Sequence, residues 1–183
     1  MDFEKTLRFI SNDFQKEQIR YALIGGLAVG VWSPFRATAD IDFLVEKKNL
    51  PQAKIVLARY GYSIFFESEN VCQFQSDLKP LGSIDFILAF RPASLGMLGR
   101  AVTKTLFSDS LLLPVLRAED LIGLKLQAFR NNPERRQGDL LDIENLLRSA
   151  QKGFDSELAR GYFHSLGLLE LKTELEKKIG RVI

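Results

Sequence analysis

The chain has 183 residues, 46% of them apolar, which supports one compact domain or a domain with a small helical addition and excludes a disordered chain. Its single cysteine, Cys72, excludes a disulfide framework and a cysteine-rich metal site. A net charge of +2 makes no bulk demand for nucleic acid.

In chain order, Phe3, Leu7, Ile10 and Phe14 mark one face of an opening helix. Tyr21 to Ile24 reads as a strand running into Gly25-Gly26, and Leu27 to Trp32 as a short helix. Ile41 to Val45 is the next strand, entered through Asp40. Asn49-Leu50-Pro51 opens a second helix as cap and first-turn proline, and Gly61 closes it. Tyr62 to Phe66, Val71 to Gln75 and Ser83 to Leu88 read as strands, the first two as a hairpin. Leu111 to Leu116 adds another strand, and from Ala118 onward the pattern is helical, with Glu119 to Phe129 as one helix. Arg91-Pro92 and Asn131-Asn132-Pro133 read as loops. The fold class expected is α+β (α/β): a mixed sheet with one helical layer, then a helical region. Residues 1–116 would form the core and 117–183 a C-terminal helical region packed on it as one unit. The N-terminus lacks a signal-peptide pattern and no apolar run reaches the length of a membrane span, so a cytoplasmic chain without a membrane partner is expected.

The chemistry sits at strand ends. Side chains two apart on a strand share a face, so Asp40 and Asp42 project together, away from Ile41 and Phe43. Aligned carboxylates repel and call for a cation or an arginine between them. Hard oxygen donors favour Mg²⁺ or Mn²⁺. With Asp85 from another strand, three carboxylates can hold two ions about 3.5–4 Å apart, the spacing used for displacement at phosphorus. Gly25-Gly26 before a helix start lets the backbone approach a phosphate. Each motif alone has a plainer meaning: a tight turn, a solvated strand end, an arginine-paired aspartate. Their order along the chain joins them into a site for an NTP and its cations.

Lys125 has Leu121, Ile122, Ala128 and Phe129 as helical neighbours, so it should point inward and needs a carboxylate or a phosphate, unless it snorkels to a rim. Asp139 lies within the apolar arc of the next helix, between Ile143 and Leu146, and Asp142 nearer its edge. Arg36 and Thr38 either fold over the cleft to meet phosphate or are an ordinary loop arginine and strand-start threonine. Arg130, Arg135 and Arg136 read as a solvated helix end, because no aromatic residues interleave for base stacking. His164, the one histidine, reads as a packing residue beside Phe163 and Leu166.

Gly25-Gly26-Leu27-Ala28, Arg36-Ala37-Thr38-Ala39-Asp40-Ile41-Asp42 and the later Asp85 together resemble the DNA polymerase β-like nucleotidyltransferase superfamily. Within it they are similar to the branch of AbiEii-type toxin nucleotidyltransferases and their uncharacterised relatives. The resemblance implies that Gly25 and Gly26 cradle the phosphates and that Asp40 and Asp42 ligate both metals. Asp85 would complete one metal site and help deprotonate the acceptor hydroxyl. It also implies that Lys125, in Lys125-Leu126-Gln127-Ala128, contacts the nucleotide phosphates, with Asp139 orienting it or lining the acceptor side. A purely structural Lys125–Asp139 ion pair is the rival reading. The sequence departs from the family at Gly26, where many members carry serine, and at Gly138, where a basic residue is common. The implied activity is Mg²⁺- or Mn²⁺-dependent transfer of NMP from an NTP to a hydroxyl of RNA (a tRNA end), a protein or a small molecule, and a toxin role would bring an antitoxin partner. The alternative is a nucleotide- or partner-binding module with the same fold and no turnover.

Overall fold

The computed structural model describes residues 2–33, 38, 40–78, 81–107 and 111–183. Helix α1 (Phe3–Lys16) is started by Asp2, whose carboxylate accepts the Lys5 N–H at 3.0 Å, and it buries Leu7, Ile10 and Phe14. Phe14 meets Tyr21 of strand β1 (Tyr21–Ile24) edge-on, with ring centres 5.0 Å apart. It also meets Phe43 of β2 (Ile41–Glu46) and Phe86 of β5 (Ser83–Ala89), at 6.3 and 6.2 Å. These contacts mark the sheet face that packs on α1. Because successive strand residues alternate faces, Asp42 and Asp85 fall on the opposite one.

The remaining strands are β3 (Tyr62–Glu67), β4 (Val71–Ser76), β6 (Val102–Leu106) and β7 (Leu111–Val115). They complete a seven-stranded sheet in the order β3-β4-β5-β2-β1-β7-β6. β2–β5 and β1–β7 pair in parallel and the other neighbours antiparallel, so the sheet is mixed, as expected. The β3–β4 hairpin is present, with a register shift between Ile64 and Phe66.

Helix α2 (Gly25–Trp32) begins at the glycine pair itself. Helix α3 (Leu50–Arg59) has Pro51 in its first turn, but Asn49 does not cap it. Its side-chain oxygen instead accepts the Arg20 N–H at 3.1 Å, and a 3₁₀ turn over Lys47–Asn49 leads into the helix. Gly61, at φ +78°, closes it as expected. Arg91-Pro92 is not simply a loop: Pro92 stands in the first turn of helix α4 (Pro92–Arg100). Cys72 is fully buried, and loss of solvation pushes its thiol up to about 11.

The chain divides into two compact units, Met1–Val31 with Arg36–Leu116, and Trp32–Phe35 with Arg117–Ile183. The second contains helices α5 (Ala118–Asn131), α6 (Arg136–Arg148), α7 (Ser156–Ser165) and α8 (Leu169–Ile179). Gly123 lets α5 and α7 approach, since a Cβ there would stand 2.9 Å from the Tyr162 ring, and the Tyr162 hydroxyl donates to the Asp120 carboxylate. Among the described residues, no helix is long and apolar enough to cross a membrane.

Candidate active site

One row of side chains crosses the sheet on the face opposite Phe14. Asp42 and Asp85 are register partners on the parallel strands β2 and β5. Gln73 of β4 stands opposite Asp85, and Phe66 of β3 opposite Gln73. Adjacent strands lie about 4.8 Å apart, so the two carboxylates are immediate neighbours. Both are partly buried. The Gln73 amide Nε2 donates to Asp85 Oδ2 at 2.9 Å. Asp40, just before β2, is exposed, and its Oδ1 accepts a hydrogen bond from the Ser83 hydroxyl. Ser83 lies two residues before Asp85, on the same face of β5.

Both glycines are required by what lies against them. Gly25 has φ +66°, and a Cβ there would overlap the Asp42 carboxylate. A Cβ at Gly26 would stand 2.7 Å from Thr38 Cβ and 2.9 Å from its Oγ1. Thr38 also donates from its hydroxyl to the Asp40 carbonyl at 3.3 Å. The Thr38 hydroxyl thus fills the space beside the first turn of α2 that a side chain at position 26 would need. Gly25, Gly26, Thr38, Asp40, Asp42 and Asp85 are brought together by strand pairing and these contacts. Arg36 lies outside the described residues, as do Ala37 and Ala39 of the same motif.

Lys125 and Asp139 belong to the second unit. Lys125 points inward, as its apolar neighbours require, and is 9% exposed. Its Nζ lies 3.0 Å from Asp139 Oδ1 and 2.8 Å from Asp142 Oδ2, both carboxylates being buried. Carboxylates, not a rim, satisfy this ammonium, and Asp142 is as buried as Asp139. His164 corrects an expectation: it is exposed, and its neighbour Phe163 takes the buried place on α7. Arg130 and Arg136 bond the backbone carbonyls of Leu166 and Phe129, consistent with helix-end arginines.

Among the described residues no group of three His, Cys, Asp or Glu side chains is gathered as a metal-ligand set. Asp42 and Asp85, neighbours across the parallel strands, offer adjacent hard oxygen donors suited to one Mg²⁺ or Mn²⁺. Ser83 and Gln73, which bond the aspartates, and Phe66, the register partner of Gln73, are neighbours of the candidate site that sequence reasoning missed. Strand alternation puts Ser83 with Asp85, but Gln73 and Phe66 join them only through register.

No protein-family model matches the chain, and no curated protein matches it in sequence. Solved structures do share its fold. The antibiotic-resistance factor ANT(2'')-Ia is 13% identical over 97% of this chain and 99% of its own, with a TM-score of 0.65. An antigenic nucleotidyltransferase-like protein from Paracoccidioides brasiliensis is 16% identical over 100% and 94%, with a TM-score of 0.64. The lincosamide antibiotic adenylyltransferase LnuA, solved with lincomycin bound, is 18% identical over 80% and 98%, with a TM-score of 0.55. The chain has the nucleotidyltransferase fold.

Proposed function

We propose that the chain is a metal-dependent nucleotidyltransferase that moves NMP from an NTP to an acceptor hydroxyl. One observation carries this reading: Asp42, the register partner of Asp85, lies against Gly25, where helix α2 begins. A place for phosphates and a place for their counter-cation are therefore adjacent. The acceptor oxygen would attack the α-phosphorus, forming the new P–O bond as the bond to the β-phosphate oxygen breaks and pyrophosphate leaves. The hydroxyl proton would pass to the Asp85 carboxylate, which Gln73 holds in place. Gly25 and Gly26 would present backbone N–H groups to the phosphates. The Thr38 hydroxyl, on turning its proton from the Asp40 carbonyl, would add the side-chain donor that Gly26 lacks, with Arg36 as a further phosphate partner. A divalent cation held by Asp42 and Asp85, with Asp40 as a further ligand, would supply charge neutralisation at the phosphates.

For Lys125 the ion triad supports a structural role over a phosphate contact, because a phosphate would have to displace a carboxylate from its ammonium. The Gly-Gly and Arg-x-Thr-x-Asp-x-Asp likeness supports the AbiEii-type branch and, with it, an antitoxin partner. A second reading is a nucleotide-binding module without turnover, in which Asp40 Oδ1 stays with the Ser83 hydroxyl and does not ligate a cation.

The test is thermal stability with each of the four NTPs, with and without Mg²⁺, on the wild type and Asp42→Asn. A ligand at a hundredfold excess over its Kd stabilises by about 2.7 kcal/mol. A magnesium-dependent shift lost in Asp42→Asn is expected. A shift that persists in the mutant removes Asp42 from the site. Labelled transfer to an added acceptor then separates enzyme from binding module.

A further inference from the structure

The register shift in β3 turns Phe66 onto the carboxylate face. Ile64 pairs with Phe74, whose ring packs on Phe86 in the core. An unbroken strand would send Phe66 to that same side, but the shift sets it opposite Gln73 instead. Phe66 is 50% exposed, a large aromatic surface left in water at the end of the row that holds Asp85. Gln73 stands between them, its amide already engaged by Asp85. Two strand spacings separate Phe66 from Asp85, about 10 Å. Ser63, Gln75 and Ser83 border the row on the same face, and all are uncharged.

The geometry points to Phe66 as the acceptor platform of the proposed transferase, a step that rests on that reading. Phe66 would stack a flat apolar part of the acceptor and place a hydroxyl about 10 Å away, at Asp85. The acceptor class that fits is a small, uncharged, hydroxylated compound with an aromatic or fused-ring part. A nucleic acid fits less well, because the described residues of the shelf offer no lysine or arginine to its phosphates.

Saturation-transfer NMR with 2-naphthyl β-D-glucoside tests this, with methyl β-D-glucoside as the ringless control. Saturation of the naphthyl protons is expected, with none on the control. Phe66→Ala should raise the Kd of the naphthyl probe about three- to tenfold, and Phe66→Tyr should restore it. Equal binding by Phe66→Ala, no naphthyl saturation in the wild type, or preference for a short ribo-oligonucleotide would each overturn the assignment. Nucleotide binding is read separately from the magnesium-dependent thermal shift. If no NTP shifts the wild type while the naphthyl probe binds at Phe66, the platform stands and the transferase reading falls.

Discussion

Gly25 and Asp42 claim the same space, since a methyl group on Gly25 would overlap the Asp42 carboxylate. The Gly25 backbone also sits at φ +66°, where an L side chain costs about 1–2 kcal/mol. Gly25→Ala should therefore destabilise the chain by at least about 1–2 kcal/mol in urea unfolding and displace Asp42. Adding Asp42→Gly should recover the part due to collision but not the backbone part, a coupling that a double-mutant cycle measures. An alanine variant with wild-type stability would mean that Asp42 does not press on this turn.

At Gly26 the sign of the effect decides. Alanine in a helix is normally worth about 0.5–1 kcal/mol over glycine, so Gly26→Ala would stabilise α2 if the space were open. Thr38 stands 2.7 Å from where the new carbon must go. Gly26→Ala should thus destabilise, and Thr38→Gly in the same chain should turn the change favourable. A stabilising Gly26→Ala on its own would show that Thr38 does not rest on the helix start.

Much of this site is legible in the chain, and what is not has physical causes. Alternation alone separates Asp42 from Phe43, and the glycine pair marks where β1 must end. Register leaves no local trace. That Gln73 faces Asp85, and that Phe66 follows it, depends on strand pairing and on a shift between Ile64 and Phe66. Helix α4 hides behind Gly96 and Gly99, which weaken its helical signal, and the Val-Thr-Lys-Thr-Leu of β6 carries too few apolar residues to announce a strand. The apolar stripe around Lys125 demands a partner and the helical arc suggests Asp139. Asp142, nearer the edge of that arc, shows itself only when α6 is docked on α5.

Two carboxylates tie down the helical unit and give it an acid limit. Lys178, 2.6 Å away, and Arg148, at 2.8 Å, hold the Glu144 carboxyl below its usual range. The Ile183 N–H and Lys172, each at 2.7 Å, do the same for Glu176. A carboxyl with a depressed folded pKa contributes stability that is fully present above its unfolded value, about 4.3. That contribution is lost as pH falls through the folded values. Urea midpoints should therefore hold steady above about pH 5 and fall below about pH 4. Glu144→Gln with Glu176→Gln should flatten that acid limb, and an unchanged slope would show that other groups carry it.

Lys125 supplies the sharpest choice between structure and chemistry. One ammonium sits between two buried carboxylates, and Asp139 Oδ2 accepts no hydrogen bond among the described residues. Lys125→Met would leave Asp139 and Asp142 buried with that ammonium gone, a change that costs about 3–5 kcal/mol when a buried pair is broken. Replacing all three together, Lys125→Met with Asp139→Leu and Asp142→Leu, should recover most of the loss, because a well-packed apolar set carries no desolvation penalty. Denaturant unfolding of both variants measures this, and the magnesium-dependent NTP shift of the triple variant should match the wild type. If Lys125→Met instead keeps its stability and loses the NTP shift, the lysine serves phosphate, as the resemblance to the nucleotidyltransferases implies.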